Sequence, residues 1–298
     1  MVLKSLWILL ATLLFALTAF FVKLASTDFS FWELIFYRSI FGVITCFVVM
    51  HRAGISLVTE HPVRHFMRCA VGTFSLTLGV LVVTLMPLSL SQALINTSPL
   101  WFCLLLMAVD RPTLTRRHIA LLSAVATGFV GILIILRPDV SSTSLSVACI
   151  GLLAGATGAL ADWLNRSLTH RGEPPERVVF YFTLSGTLLG ACGAAIVGFS
   201  PVTFATASLL SGIGITGTLA QLALTYGWKG GHPILNAIFG FTAIPFAVLL
   251  GVIFLSEALD ILSLIGIATV TLSGLAATLL QRRAEGEERN LKKKVLRC

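Results

Sequence analysis

Two carboxamides, two hydroxyls and an indole (Gln92, Asn96, Thr97, Ser98 and Trp101) fall within one otherwise apolar segment, with Pro99 among them. None of these groups is acidic or basic, so they offer hydrogen bonds rather than proton transfer or nucleophilic attack. Gln92 and Asn96 are four positions apart, which puts both on one face of a helix. Pro99 has no backbone N–H to give, and its ring frees a carbonyl of the preceding turn. In an oily segment such groups are costly unless they face other helices or a wet cavity. There they could hold a small polar molecule.

The pattern has an echo. Pro87, Pro99 and Gly128 recur as Pro233, Pro245 and Gly274, each at an offset of 146. The polar residues that accompany the second set are Gln221, Tyr226, Asn236 and Thr242. Tyr226 and Asn236 lie toward a segment end, where a gate or interfacial belt role stands beside binding. Helices interrupted at corresponding points of two halves are the best sequence pointer to a binding site between them. The expectation is that Pro99 and Pro245 break helices around a wet chamber, with Trp101, Asn96 and Gln92 on its wall. Ser75 and Thr77 are weaker candidates, since a lone hydroxyl usually bonds back to its own helix.

Charged groups within apolar segments are few. Arg38 is about 9 Å in from Trp32 by helix rise, and it reads either as a functional charge or as half of a rim ion pair with Glu33. Asp162 has Arg166 four positions on, which would neutralise it; facing a cavity instead, it would be the natural proton carrier. Arg38, Glu33 and Asp162 are therefore the candidates for coupling or gating. The six histidines (His51, His61, His65, His118, His170 and His232) fall at segment ends, where they read as solvated. The six cysteines are scattered without a CxxC pair, so neither a disulfide nor a zinc site is expected. No GxxxxGK[ST] loop, HExxH or GxSxG occurs, and no deep pair of carboxylates. ATP hydrolysis, catalysis and a bound cofactor are therefore not expected.

The elements that position these groups must be membrane helices. The chain has 298 residues, 56% of them hydrophobic and only 11% charged, with a mean hydropathy of +0.95; soluble domains carry about 25% charged residues. A net charge of +8 would suggest nucleic acid in a soluble protein, but here the placement of charge matters more than its sum. Ten segments are long enough to span: 5–24, 32–50, 67–86, 89–109, 118–136, 146–165, 178–198, 207–227, 233–255 and 261–281. With a cytoplasmic N-terminus, all 21 Lys and Arg except Lys23, Arg38 and Arg137 fall on the cytoplasmic side. Both termini are then cytoplasmic, and Lys292–Lys294 in the tail would lie near anionic lipid.

A unit of five spans is odd, so its second copy enters from the opposite side. The expected fold is all-α: two inverted five-helix repeats, residues 1–140 and 146–281, followed by a charged tail, 282–298. Gly151/Gly155 and Gly186/Gly190 form small-residue faces, for tight packing within the chain or for a weak homodimer.

Further residues carry a family likeness. Gly79 to Pro87, Ala93-Leu-Ile, Pro99-Leu and Asp110 after the span resemble the EamA-type module of the drug/metabolite transporter superfamily. So do Gly128-Phe-Val-Gly131 with Arg137-Pro138. The second copy has Gln221-Leu-Ala-Leu, Pro245-Phe, Leu250-Gly251, Ser256-Glu257-Ala-Leu and Gly274. One departure is Asp110-Arg111, where the module usually has glutamate. The resemblance implies a secondary transporter of the cytoplasmic (inner) membrane, most often exporting amino acids or related metabolites by alternating access. Its partners would be a small-molecule substrate and the lipid bilayer. Import of a nucleotide-like metabolite is the alternative within transport, and a non-transporting scaffold or intramembrane enzyme is the alternative outside it.

Overall fold

The structure is a computed structural model that describes residues 2–110, 142–231, 236 and 239–273. Residues 120, 123, 124, 126–128, 130, 131, 134, 275, 276 and 279 are described besides. Most of the fifth expected span, Pro233, Gly274 and the tail 282–298 lie outside them. Among the described residues there is helix and no strand. Six helices are long and apolar enough to cross a membrane: α1 (Val2–Ala25), α2 (Phe31–Arg52), α3 (Pro62–Leu85), α6 (Ser142–His170), α7 (Pro175–Val197) and α8 (Phe204–Gly230). The shorter ones are α4 (Leu88–Ile95), α5 (Ser98–Asp110), α9 (Ala243–Phe254) and α10 (Ile261–Ser273).

The helix starts follow local chemistry. Ser30 and Glu33 form a capping box at α2, Thr203 and Thr206 do the same at α8, and Pro62 and Pro175 occupy first-turn positions of α3 and α7. Two expected spans are interrupted. The first breaks at Asn96–Thr97, between α4 and α5, and Pro99 is the second residue after the break. The other breaks at Phe241–Thr242, just ahead of α9, with Pro245 in that helix's first turn. Each proline therefore sits where its missing N–H costs no hydrogen bond.

Packing links distant parts of the chain. Helix α1 lies against α8, α3 against α6, and α2 against α7; α9 rests on α1 as α4 and α5 rest on α6. The two breaks meet in one apolar cluster that includes Leu94, Leu100, Phe241 and Ile244. Close approach is made by small residues, as it must be where lipid gives helices no hydrophobic reason to associate. A β-carbon at Gly155 would come 3.0 Å from the Ile95 carbonyl oxygen, so α6 passes the first break only because that carbon is missing. Gly151 faces Leu94, Gly186 faces Ser39, and Gly190 faces the Phe36 backbone. Both small-residue faces are thus occupied within the chain.

The end of the bundle where α2, α6 and α8 finish is called here the basic end, and the opposite one the far end. The α2–α7 pair is fastened at both. At the basic end Thr59 donates to Glu173 at 2.5 Å, Arg177 Nε donates to the Ser56 carbonyl at 2.8 Å, and the Tyr181 hydroxyl donates to the Leu57 carbonyl at 2.7 Å. At the far end the Glu33 carboxylate accepts from the Ser200 backbone N–H at 2.7 Å.

Candidate functional site

Helices α1, α3, α6 and α8 enclose a cavity of about 260 Å³ with the α4–α5 break on its wall. Gln92, Asn96, Ser98 and Pro99 line it from the break, and Gly240 lines it from the turn before α9. Asn96 Nδ2 donates to the Gln92 carbonyl at 2.9 Å and to Gln92 Oε1 at 3.1 Å. The Gln92 side chain is thereby fixed one turn from the freed backbone. Gln221 reaches the cavity from α8; it is 5% exposed and its Nε2 has no partner.

Two guanidiniums and one carboxylate share the wall. Arg38 comes from α2, Arg68 from α3 and Asp162 from α6. Arg38 lies 6.0 Å from the centroid of the Phe15 ring, and Arg68 lies 4.4 Å from that of Phe182. The aromatic faces hold the cations without neutralising them. Arg68 is 3% exposed, and its Nε and Nη1 have no hydrogen-bond partner. Arg38 and Arg68 act on one another as like charges, and Arg68 is the charge that acts on Asp162. The Trp228 indole N–H is turned toward Asp162 without closing a hydrogen bond of ordinary geometry. Toward the far end the wall turns apolar, with Ala19, Val22, Val80 and Val83.

Several expected site residues stand elsewhere. Trp101 is not on the wall; it packs with Trp163 against Phe102, Ala159 and Trp228. Its assignment assumed one straight helix, and the break at Asn96–Thr97 resets the face that follows. Pro245 is exposed on the outside of α9, so among the described residues the second break meets the cavity through Gly240. Thr242 bonds Thr12 at 2.8 Å and donates to the Phe239 carbonyl at 2.6 Å, one step behind the wall. Asn236 donates to the Gly227 carbonyl at 2.8 Å and caps the end of α8. Tyr226 stacks on Trp7, and its hydroxyl donates to Glu176 at the basic end.

Glu33 is no partner of Arg38. Its carboxylate accepts from the Ser30 N–H at 2.9 Å, the Ser30 hydroxyl at 2.8 Å and the Ser200 backbone, while Arg38 turns into the cavity. Helix α2 carries the two residues on different faces, and the capping box claims the first. His65 is likewise not solvated: it is 3% exposed, with Nε2 lying 3.3 Å from Glu173 Oε2. Among the described residues no three His, Cys, Asp or Glu side chains are grouped to hold a metal ion.

Arg68 is the residue that sequence reasoning missed, counting it with the charges of a cytoplasmic loop. Pro62 starts α3 five residues earlier than the apolar run suggested, which carries Arg68 inside. A signal existed: Arg68, Gly72, Ser75 and Gly79 recur at helical spacing and all line the cavity.

No family model matches the chain. A solved crystal structure shares the fold at a TM-score of 0.71 and 18% identity, covering 94% of this chain and 99% of its own. An uncharacterized transporter from Helicobacter pylori is 28% identical over 285 residues, 91% of this chain and 93% of that protein. The pseudopaline exporter CntI of Pseudomonas aeruginosa is 27% identical over 267 residues, 90% of this chain and 93% of its own length. The chain is thus a membrane protein, helical without strands in its described residues, and similar over nearly its whole length to proteins named as transporters, one of them an exporter.

Proposed function

We propose that the protein is a secondary transporter that moves a small metabolite, an amino acid or a related compound, by alternating access. Export is the favoured direction, and the cytoplasmic membrane the setting, with both termini inside. The observation that carries the reading is the cavity: buried amides and charges gathered where a helix is interrupted, in a chain otherwise too apolar for water. Groups of that kind are retained inside a membrane protein where a polar molecule must be held.

The two-repeat architecture belongs to the same proposal. Exchanging α1 with α6, α2 with α7, α3 with α8 and α4–α5 with α9 maps the observed helix neighbours onto one another, which supports two inverted copies. The names of the relatives support transport and, for one of them, export. Purified protein reconstituted in vesicles should accumulate or release labelled amino acids. Asn96→Ala and Gln92→Ala should each lower that flux by about tenfold or more while the helical circular dichroism is unchanged. Flux equal to that of empty vesicles across an amino-acid panel would overturn the reading.

A further inference from the structure

Among the described residues the charges on the cavity wall do not balance. Arg38 and Arg68 contribute two positive groups and Asp162 one negative. Neither guanidinium forms a direct ion pair with Asp162, and Nε and Nη1 of Arg68 are buried without an acceptor. A buried cation with open donors is held at a cost unless something enters to accept from it. A guanidinium fork matches a carboxylate, both N–H groups meeting both oxygens. The two forks come from different helices, α2 and α3, so they present two receiving points rather than one. Asp162, on the third helix α6, is the only anion on the wall among the described residues to meet an ammonium group.

We infer that the cavity takes a small amino acid carrying a second carboxylate, Arg38 and Arg68 each receiving one carboxylate and Asp162 receiving the ammonium group; this names the cargo class of the carrier proposed above and rests on that reading. Such a cargo brings one net negative charge and leaves the filled cavity neutral. A zwitterion with an uncharged side chain leaves one guanidinium unanswered. A fully ionised phosphate would put its negative charge beside Asp162. Gln92 and Gln221 remain to hydrogen-bond the carboxylate oxygens and the ammonium group, and about 260 Å³ admits a molecule of this size.

The test uses acid and amide pairs of equal shape: L-glutamate against L-glutamine, and L-aspartate against L-asparagine, with succinate and inorganic phosphate alongside. Binding to the full chain in detergent is read by tryptophan fluorescence and by thermal shift. The acids should bind about tenfold or more tightly than their amides. Arg38→Gln should abolish that difference, and Arg38→Lys, which keeps the charge but loses the fork, should restore part of it. Asp162→Asn should weaken glutamate and leave succinate equal or tighter. Amides as tight as acids, phosphate as tight as the acids, no binding by either member of both pairs, or an Arg38→Gln protein that still prefers the acids would each overturn the inference. Flux in vesicles separates the two levels. Amides carried as fast as acids remove the cargo class and leave the carrier, whereas acids bound but never carried remove the carrier.

Discussion

Among the described residues at the basic end, Glu173 is the carboxylate held by the most hydrogen bonds. Burial pushes its carboxyl up, but hydrogen bonds from Thr59 and Arg177, with the His65 imidazole 3.3 Å away, outweigh burial and hold it below its ordinary value of 4.5. A carboxylate depressed in the folded state stabilises fully above its unfolded value and loses that contribution as pH falls through the folded one. Melting temperature in detergent should therefore decline as pH drops below 4.5. Glu173→Gln should flatten that decline and cost about 1.5–3 kcal/mol at neutral pH. An acid limb unchanged in the variant would show that other carboxylates set it. At this scale the sequence was readable where two residues share an unbroken turn. Gln92 and Asn96 bond each other as their spacing requires, and Arg38 is half-buried on the cavity wall, within the span where its depth placed it. It was unreadable where a partner came from far along the chain. Neither Ser200 for Glu33 nor Phe182 for Arg68 leaves any local trace.

The interrupted helix is held from outside as much as by its own proline. Glu257 accepts from the Leu88 N–H, from the Ser89 N–H at 3.0 Å and from the Ser89 hydroxyl at 2.6 Å, capping α4 from the turn between α9 and α10. Ser256 just before it has φ 52°, a left-handed conformation that a serine adopts only under constraint. Glu257→Ala should cost about 1–2 kcal/mol in a denaturation series, as a lost cap carrying charge. Ser89→Ala should cost less, because both backbone donors remain. On the opposite side of the break, Gly155→Val would push a branched side chain into the Thr97 hydroxyl and the Ile95 carbonyl. Overpacking of this kind costs about 1–3 kcal/mol, and flux should fall with it. Both interruptions were legible, because proline acts on its own turn. Their orientation was not, because the face a helix shows after a break depends on what it packs against. Pro99 turned in and Pro245 turned out.

Across the whole molecule, α2 and α7 are bonded to each other's loops at both ends, and the pairs α1–α8 and α3–α6 flank them. Under the proposed alternating access, α2–α7 is the still part and the flanking pairs move. In a background with the native cysteines replaced by serine, cross-linking cysteines placed at Ser30 and Ser200 should leave flux near that of the unlinked protein. Cross-linking cysteines at Thr12 and Thr242, where α1 meets the second break, should arrest it. Arrest by the first pair alone would assign motion to the wrong helices. Charge asymmetry between the loops and the offset of 146 are what the proposed two-repeat organisation rests on at the level of sequence. What they could not convey is which helices touch, since every apolar face in a bilayer looks equally suited to lipid or to another helix.

The clasp on α4 has a consequence for birth order. Its acceptor, Glu257, lies 168 residues beyond Ser89, so while the ribosome has made only the first half, the start of that rod has nothing to hold its open amides. Helix α4 must wait, loosely seated, for α9 and the turn beyond it to emerge, and a nascent chain halted before Glu257 should show protease-sensitive cleavage near Leu88 that the finished chain lacks.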